Sequence, residues 1–205
     1  MRVAATLALL FCLALPAAAQ YQPGSDYRVL DRPQPVAAED RVQVTEFFSY
    51  GCPHCFNFMP MMERWSEQAG AEVAVRRVPV TFGRAQWRHL AKAFYVAELL
   101  GSVDEMHEAI FEAYHLQNRR FRNTDDLVAF FTEHGHDSEK VRQAFNSFAV
   151  DVKVRQAEKM VRDYGVRSTP SVAVAGRYVM DPSLTGTQER MLEIASQLVR
   201  RSVGG

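Results

Sequence analysis

The chain has few cysteines, no surplus of either charge and no apolar run long enough to cross a bilayer, and each shortage narrows what it can be. Only Cys12, Cys52 and Cys55 occur in 205 residues, so little material exists for a disulfide framework or a thiolate metal cage. The 24 Lys and Arg residues are matched by 24 Asp and Glu. That balance lacks the basic footprint of a nucleic-acid binder, and no nucleic-acid partner is expected. The most apolar stretch, from Val3 to Leu15, falls short of the ~20 residues a spanning helix needs. Internal repeats and low-complexity segments are missing too.

What is present begins with a leader. "MRVAATLALLFCLALPAAAQ" opens on one cation, Arg2, runs through an apolar core and ends in three alanines. That order is the pattern of a secretory signal, so residues 1–19 read as a signal peptide cut after Ala19. Bulky Phe11 before Cys12 argues against lipid attachment there. Processing leaves about 186 residues, the size of one domain or of one domain carrying an insert. It also leaves one cysteine pair in a chain expected to be soluble and exported.

After the Pro-rich lead-in "RPQPVAAED", the run "RVQVTEFFS" has the β-branched and aromatic character of a strand. With a period of two, Val42, Val44, Glu46 and Phe48 share a face, which puts a carboxylate among apolar residues shortly before Cys52. A bulge would instead leave Glu46 solvated. The chain then turns at Gly51 into "CPHCFNFMPMMERWSEQAG", a helix opened by Pro53 and stopped by Gly70. Pro60 inside it predicts a kink. "EVAVRRVPV" is a second strand, and strand, helix, strand favours parallel pairing with a right-handed crossover.

From Arg84 to Tyr164 the period is helical. "AQWRHLAKAFYVAELL" stops at Gly101, the capping box "SVDE" starts a helix at Ser102, and Thr124 and Ser138 are the expected N-caps of two more. "PSVAVAGRYVMD" is a hairpin around Ala175-Gly176, and "QERMLEIASQLVRR" is a closing helix with its basic residues at the negative end of the dipole. The expected fold class is α/β: residues 20–83 and 165–205 make one layered unit of about 110 residues, interrupted over 84–164 by an all-helical insertion.

The chemistry concentrates in "CPHC". Cys52 falls at the first turn of a helix, where unsatisfied N–H groups and the positive dipole end favour an anion. A Cys-X-X-Cys pair so placed commonly has a lowered pKa, Pro53 suits the turn, and His54 can add a donor or a positive charge beside the sulfur. Cys55, one turn further in, suits attack on a mixed disulfide. Each unit of thiolate stabilisation below pH 7 favours the reduced pair by ~1.4 kcal/mol, or ~30 mV for two electrons, so a few units separate an oxidant from a reductant. In an exported protein a disulfide donor is the natural reading. A structural bridge is disfavoured because so short a loop yields little entropic stabilisation. A metal module on Cys52, Cys55 and His54 lacks a second cysteine pair to complete it. Glu46, if buried, would have a raised pKa and could take or relay a proton for Cys55. His89, His107, His115, His134 and His136 read as surface or packing residues. Pro170 opens an apolar strand, and trans is the default for its peptide bond.

Glu46, Phe47 and Phe48, "CPHC" at 52–55, the helical insertion and Thr169-Pro170 before a hairpin together resemble the periplasmic DsbA-type thiol:disulfide oxidoreductases. Pro60 matches the helix kink of the wider thioredoxin superfamily. The resemblance implies a thioredoxin fold over 20–83 and 165–205, with Pro170 in cis facing the disulfide and Thr169 offering backbone hydrogen bonds to an extended substrate. It implies a strongly oxidising Cys52–Cys55 disulfide as the only redox group, with no cofactor and no metal. The implied partners are reduced or unfolded exported polypeptides and a DsbB-type membrane quinone reductase as reoxidant. One departure stands out: the best-known members carry valine before the proline, and Thr169 also resembles disulfide isomerases. Isomerases of that kind carry a dimerisation domain, which Gln20 to Asp40 cannot supply, so a monomeric oxidase is expected ahead of an isomerase or reductase.

Overall fold

The structure is a computed structural model that describes residues 21–38 and 40–203. The signal segment, its cleavage point and Cys12 lie outside the described residues. Five strands, β1 (Arg28–Val29), β2 (Val42–Phe48), β3 (Val73–Pro79), β4 (Ser171–Val174) and β5 (Tyr178–Met180), form one sheet in the order β1-β5-β4-β2-β3. β2 and β3 pair in parallel, as strand, helix, strand requires, and the remaining pairs are antiparallel. Pro79 ends β3 on the sheet edge, where a missing N–H breaks no ladder. β1 was not legible in the lead-in, because its two residues carry no period of their own and are held by Val179 and Tyr178 across the sheet.

Helix α1 (Pro53–Ala69) follows β2 and buries Cys55, Phe58, Met59, Met62 and Trp65, the spacing of one helical face. It runs through Pro60 without a break. Five helices fill the interval between β3 and β4: α2 (Ala85–Leu100), α3 (Val103–His115), α4 (Thr124–Glu133), α5 (Ser138–Phe145) and α6 (Phe148–Asp163). A short α7 (Pro182–Thr185) and the closing α8 (Gln188–Val203) complete the chain.

Two apolar clusters explain the layering. Val172, Val174, Val44 and Met180 point to one side, against Phe58 and Met62 of α1 and Ile194 and Leu198 of α8. Ala173, Val179, Phe47 and Val78 point to the other, in one continuous core with Phe94, Ile110, Phe111, Val154 and Ala157 of the inserted helices. The insertion is therefore the cover of the second sheet face. This is why all seven residues of β2 are buried, with no polar face of the kind alternation suggests. Phe48 departs from the face shared by Val42 and Val44: it ends the strand and packs edge-on to Phe94 at 5.4 Å.

The helix starts differ by small steps from expectation. Asn123 and Asp137 are the caps, accepting from the N–H groups of Asp126 and Lys140 at 2.9 Å each, one residue before Thr124 and Ser138. Asn and Asp cap at least as well as Thr and Ser, so the earlier residue takes the position. Ser102 does precede α3, but its side chain makes no cap. Its hydroxyl turns back to the Ala97 carbonyl at 3.4 Å, the same oxygen that its own N–H meets at 2.9 Å to close α2. The hairpin turn has Ala175 at φ 52° and Gly176 at φ 64°. A Cβ at Gly176 would lie 2.2 Å from the Gln34 carbonyl oxygen, so glycine is required there on two counts.

Candidate active site

The loop from Ser49 to Cys52 carries the chain from β2 into α1. It is tied internally, with the Cys52 N–H bonded to the Ser49 carbonyl at 3.0 Å and the Gly51 N–H to the Ser49 hydroxyl at 3.2 Å. Gly51 is packed against Trp87 so closely that a Cβ would lie 2.6 Å from the indole nitrogen. Cys52 is the N-cap of α1, with Pro53 in the first turn, and its carbonyl accepts from the N–H groups of Cys55 and Phe56. The side chain points out of the helix start, toward the chain segment that precedes β4.

There the Cys52 sulfur lies 3.4 Å from the Thr169 carbonyl, across 117 positions of sequence. The Thr169–Pro170 bond is cis. Both cysteines are free thiols and both are buried, Cys52 at 6% exposure and Cys55 at 0%. Their environments push them in opposite directions. A hydrogen bond from Cys55 does most to lower the Cys52 pKa to about 5; burial opposes it, and the Thr169 side chain and the backbone N–H groups of Cys55 and His54 add to the lowering. Burial pushes the Cys55 thiol well above its ordinary range, and the adjacent Cys52 sulfur adds to this. One sulfur is held as an anion and the other as its proton-bearing donor.

His54 enters this balance through its backbone. Its amide reaches Cys52, its carbonyl accepts from the Gln188 side chain at 2.7 Å, and its imidazole is exposed. Glu46 is buried at 1% exposure on β2, between β4 and β3, so the bulged, solvated alternative does not occur. Burial raises its carboxyl to about 7, against the opposing pull of Arg77, whose Nε lies 3.6 Å away on the paired strand. Arg77 also faces Glu63 at 3.6 Å, on the surface side of α1.

Two of the histidines read as surface or packing groups turn out to grip the loop. The buried His107 places Nδ1 2.9 Å from the Tyr50 hydroxyl, and the partly buried His115 places Nε2 2.8 Å from the Tyr50 carbonyl. Their spacing of i and i+8 puts both on the face of α3 turned to the loop. That spacing was a usable signal, but nothing in it names Tyr50 as the target. The packing reading does hold for His89, which stacks on Phe145. Among the described residues no group of three or more His, Cys, Asp or Glu side chains is arranged to hold a metal, and no helix is long and apolar enough to cross a membrane.

Comparison with known proteins bears on this arrangement directly. The family described as DSBA-like thioredoxin domain matches residues 43–193, which takes in the thiol pair, Thr169-Pro170 and all five inserted helices. The chain belongs to this family. Among DSBA-like proteins it is 35% identical to the thiol:disulfide interchange protein DsbA of Burkholderia cepacia, over 96% of this chain and 92% of that one. It is 33% identical to the protein of the same description from Pseudomonas aeruginosa, over 95% and 92%. The crystal structure of Pseudomonas aeruginosa DsbA superposes with a TM-score of 0.84 at 33% identity, covering 90% of this chain and 95% of that one. The DsbA-like oxidoreductase of Xylella fastidiosa gives 0.84 at 28% identity. The fold is thus the thioredoxin-like DSBA fold, and the protein is a thiol:disulfide oxidoreductase.

Proposed function

We propose that the protein is a dithiol oxidase that donates its Cys52–Cys55 disulfide to reduced, newly exported polypeptides in the periplasm. A substrate thiolate attacks the Cys52 sulfur, the S–S bond breaks, and its electron pair leaves on Cys55, which takes a proton. A second substrate thiolate then attacks the substrate sulfur of the mixed disulfide and expels Cys52 as a thiolate. The substrate loses two electrons and gains a disulfide; the enzyme gains the electrons as one thiol and one thiolate. The observation that carries this reading is the position of Cys52, at the open end of α1 against Thr169, with Cys55 buried behind it as a donor. A sulfur stabilised as an anion is a good leaving group in the second step.

The supporting residues follow from the same geometry. Thr169 and Pro170 form the edge on which an extended substrate adds main-chain hydrogen bonds. His54 stabilises the thiolate together with Pro53 at the helix start, mainly through its amide. Glu46, with a pKa near neutrality, takes the proton Cys55 must lose when the pair is reoxidised. The reoxidant is a DsbB-type membrane quinone reductase, reached after export on the N-terminal signal segment.

Equilibration of the purified protein with glutathione buffers tests the direction of electron flow. A disulfide as hard to reduce as an ordinary structural crosslink refutes the oxidase. In a turnover assay on a reduced, unfolded substrate, Cys52→Ala abolishes oxidation, and retained turnover removes the assignment. Thr169 favours one second reading, an isomerase or reductase on the same site. Faster reshuffling of a scrambled substrate than oxidation of a reduced one would select it.

A further inference from the structure

The grip of α3 on the active-site loop is not part of the thiol chemistry described so far. Tyr50 lies two residues before Cys52 and is held at both ends from α3, hydroxyl by His107 and carbonyl by His115. A carbonyl only accepts, so Nε2 of His115 carries the proton in this bond and Nδ1 does not. The ring plane is fixed by stacking on Phe56, with centroids 5.0 Å apart and planes at 16°. Phe56 in turn donates its N–H to the Cys52 carbonyl at 3.2 Å. His115 therefore touches the chain on both sides of Cys52, at the loop before it and at the first helical turn after it. No other described residue hydrogen-bonds the Tyr50 carbonyl.

We propose that His115 is a positioning residue for Cys52, holding the Tyr50 carbonyl from the helical layer so that the 50–52 turn keeps the sulfur at the N–H groups opening α1. The helical insertion then does more than cover the sheet: it sets the geometry on which thiolate stability depends. The groups facing His115 fit a neutral donor. Cys52 lies across the loop and Arg120 beyond the end of α3, while Phe56, Phe111 and Tyr114 supply the rest of its surroundings as rings. Burial and Arg120 resist a second proton, and the Tyr50 bond and the Cys52 charge favour it. Its contribution is thus a directed hydrogen bond, one that an uncharged donor of the same reach can replace.

The inference rests on Cys52 being the stabilised thiolate, and the test separates the two. The Cys52 midpoint is followed by thiolate absorbance against pH in the reduced wild-type protein and in His115→Gln, His115→Asn and His115→Phe. Glutamine places a donor near the position of Nε2, asparagine is too short to reach, and phenylalanine keeps the stack on Phe56 without a donor. His115→Gln should titrate close to wild type. His115→Asn and His115→Phe should titrate higher by about half to one pH unit, the scale of one neutral hydrogen bond, with the glutathione equilibrium shifted about three- to tenfold toward the disulfide. Near-ultraviolet circular dichroism checks each fold, and the Gln and Asn pair suffices if Phe does not fold. Wild-type behaviour in the short or apolar variants, or a glutamine shift as large as theirs, overturns the proposal. A wild-type midpoint in the ordinary thiol range sinks the thiolate reading itself.

Discussion

Replacing Cys55 with alanine isolates the largest contribution to the Cys52 thiolate. The midpoint of Cys52 is lowered from an ordinary 9.0 to about 5, and the hydrogen bond from Cys55 comes first among the causes. A hydrogen bond to a charged group contributes about 1.5–3 kcal/mol, which corresponds to about one to two pKa units. Cys55→Ala should therefore titrate between about 6 and 7, with the remaining stabilisation left to the helix-start amides and Thr169. His54→Ala should move the midpoint less, because the amide that reaches the sulfur remains. The redox consequence has an upper bound. At pH 7 a thiolate of pKa about 5 is favoured over its thiol by about 2.7 kcal/mol, equivalent to about 60 mV, and solvent over the mouth of the site screens part of this. Thiolate absorbance against pH, checked by the pH dependence of alkylation, measures the midpoint. A Cys55→Ala midpoint equal to wild type refutes the reasoning. A larger shift in His54→Ala would move the credit from the paired thiol to the imidazole.

The remaining predictions address stability and access. Because the folded Cys52 pKa is depressed, the reduced protein binds fewer protons than its unfolded chain between pH 5 and 9; its stability margin over the disulfide form grows as pH rises through that window and vanishes below it, which denaturant melts of both forms will read. Glu46 has the opposite sign. Its pKa is raised to about 7, so the folded state holds the extra proton and stability falls as pH rises from about 4.5 to 7. Glu46→Gln should remove that slope and stabilise the protein at pH 8 by up to about 3 kcal/mol, and an unchanged slope in the variant would show the carboxyl to be ordinary. Gly51→Ala should displace Trp87 and slow substrate oxidation, readable as a change in tryptophan fluorescence together with turnover. Phe111→Ala should cost about 3–5 kcal/mol in denaturant unfolding, since the ring is fully buried among Phe48, Tyr50 and His107.

Local sequence sufficed wherever one segment carries its own reason. The apolar run before "CPHC" reads as a strand, Pro53 and Gly70 bound a helix, and the thiol pair at its start lay within four residues. The helical period over the insertion was equally plain, although the caps at Asn123 and Asp137 were missed by a residue because neighbouring side chains competed for the same N–H groups. The family resemblance, carried by these motifs, supplied the fold and the proximity of Thr169 to the thiols, which spacing alone could not.

Contacts between segments with no shared period were decided by the tertiary structure. β1 exists because β5 has an open edge, and Glu46 has its raised pKa because the packed layers bury it, with Arg77 as its cross-strand neighbour. His107 and His115 looked like packing residues because their helix advertises only its amphipathic face; that the face closes on Tyr50 depends on how the insertion folds back over the sheet. Sequence thus determined which atoms could do chemistry, since nucleophile, helix start and proline are local choices. The packed layers decided how strongly, because electrostatic stabilisation depends on distances and burial that chain-distant neighbours set.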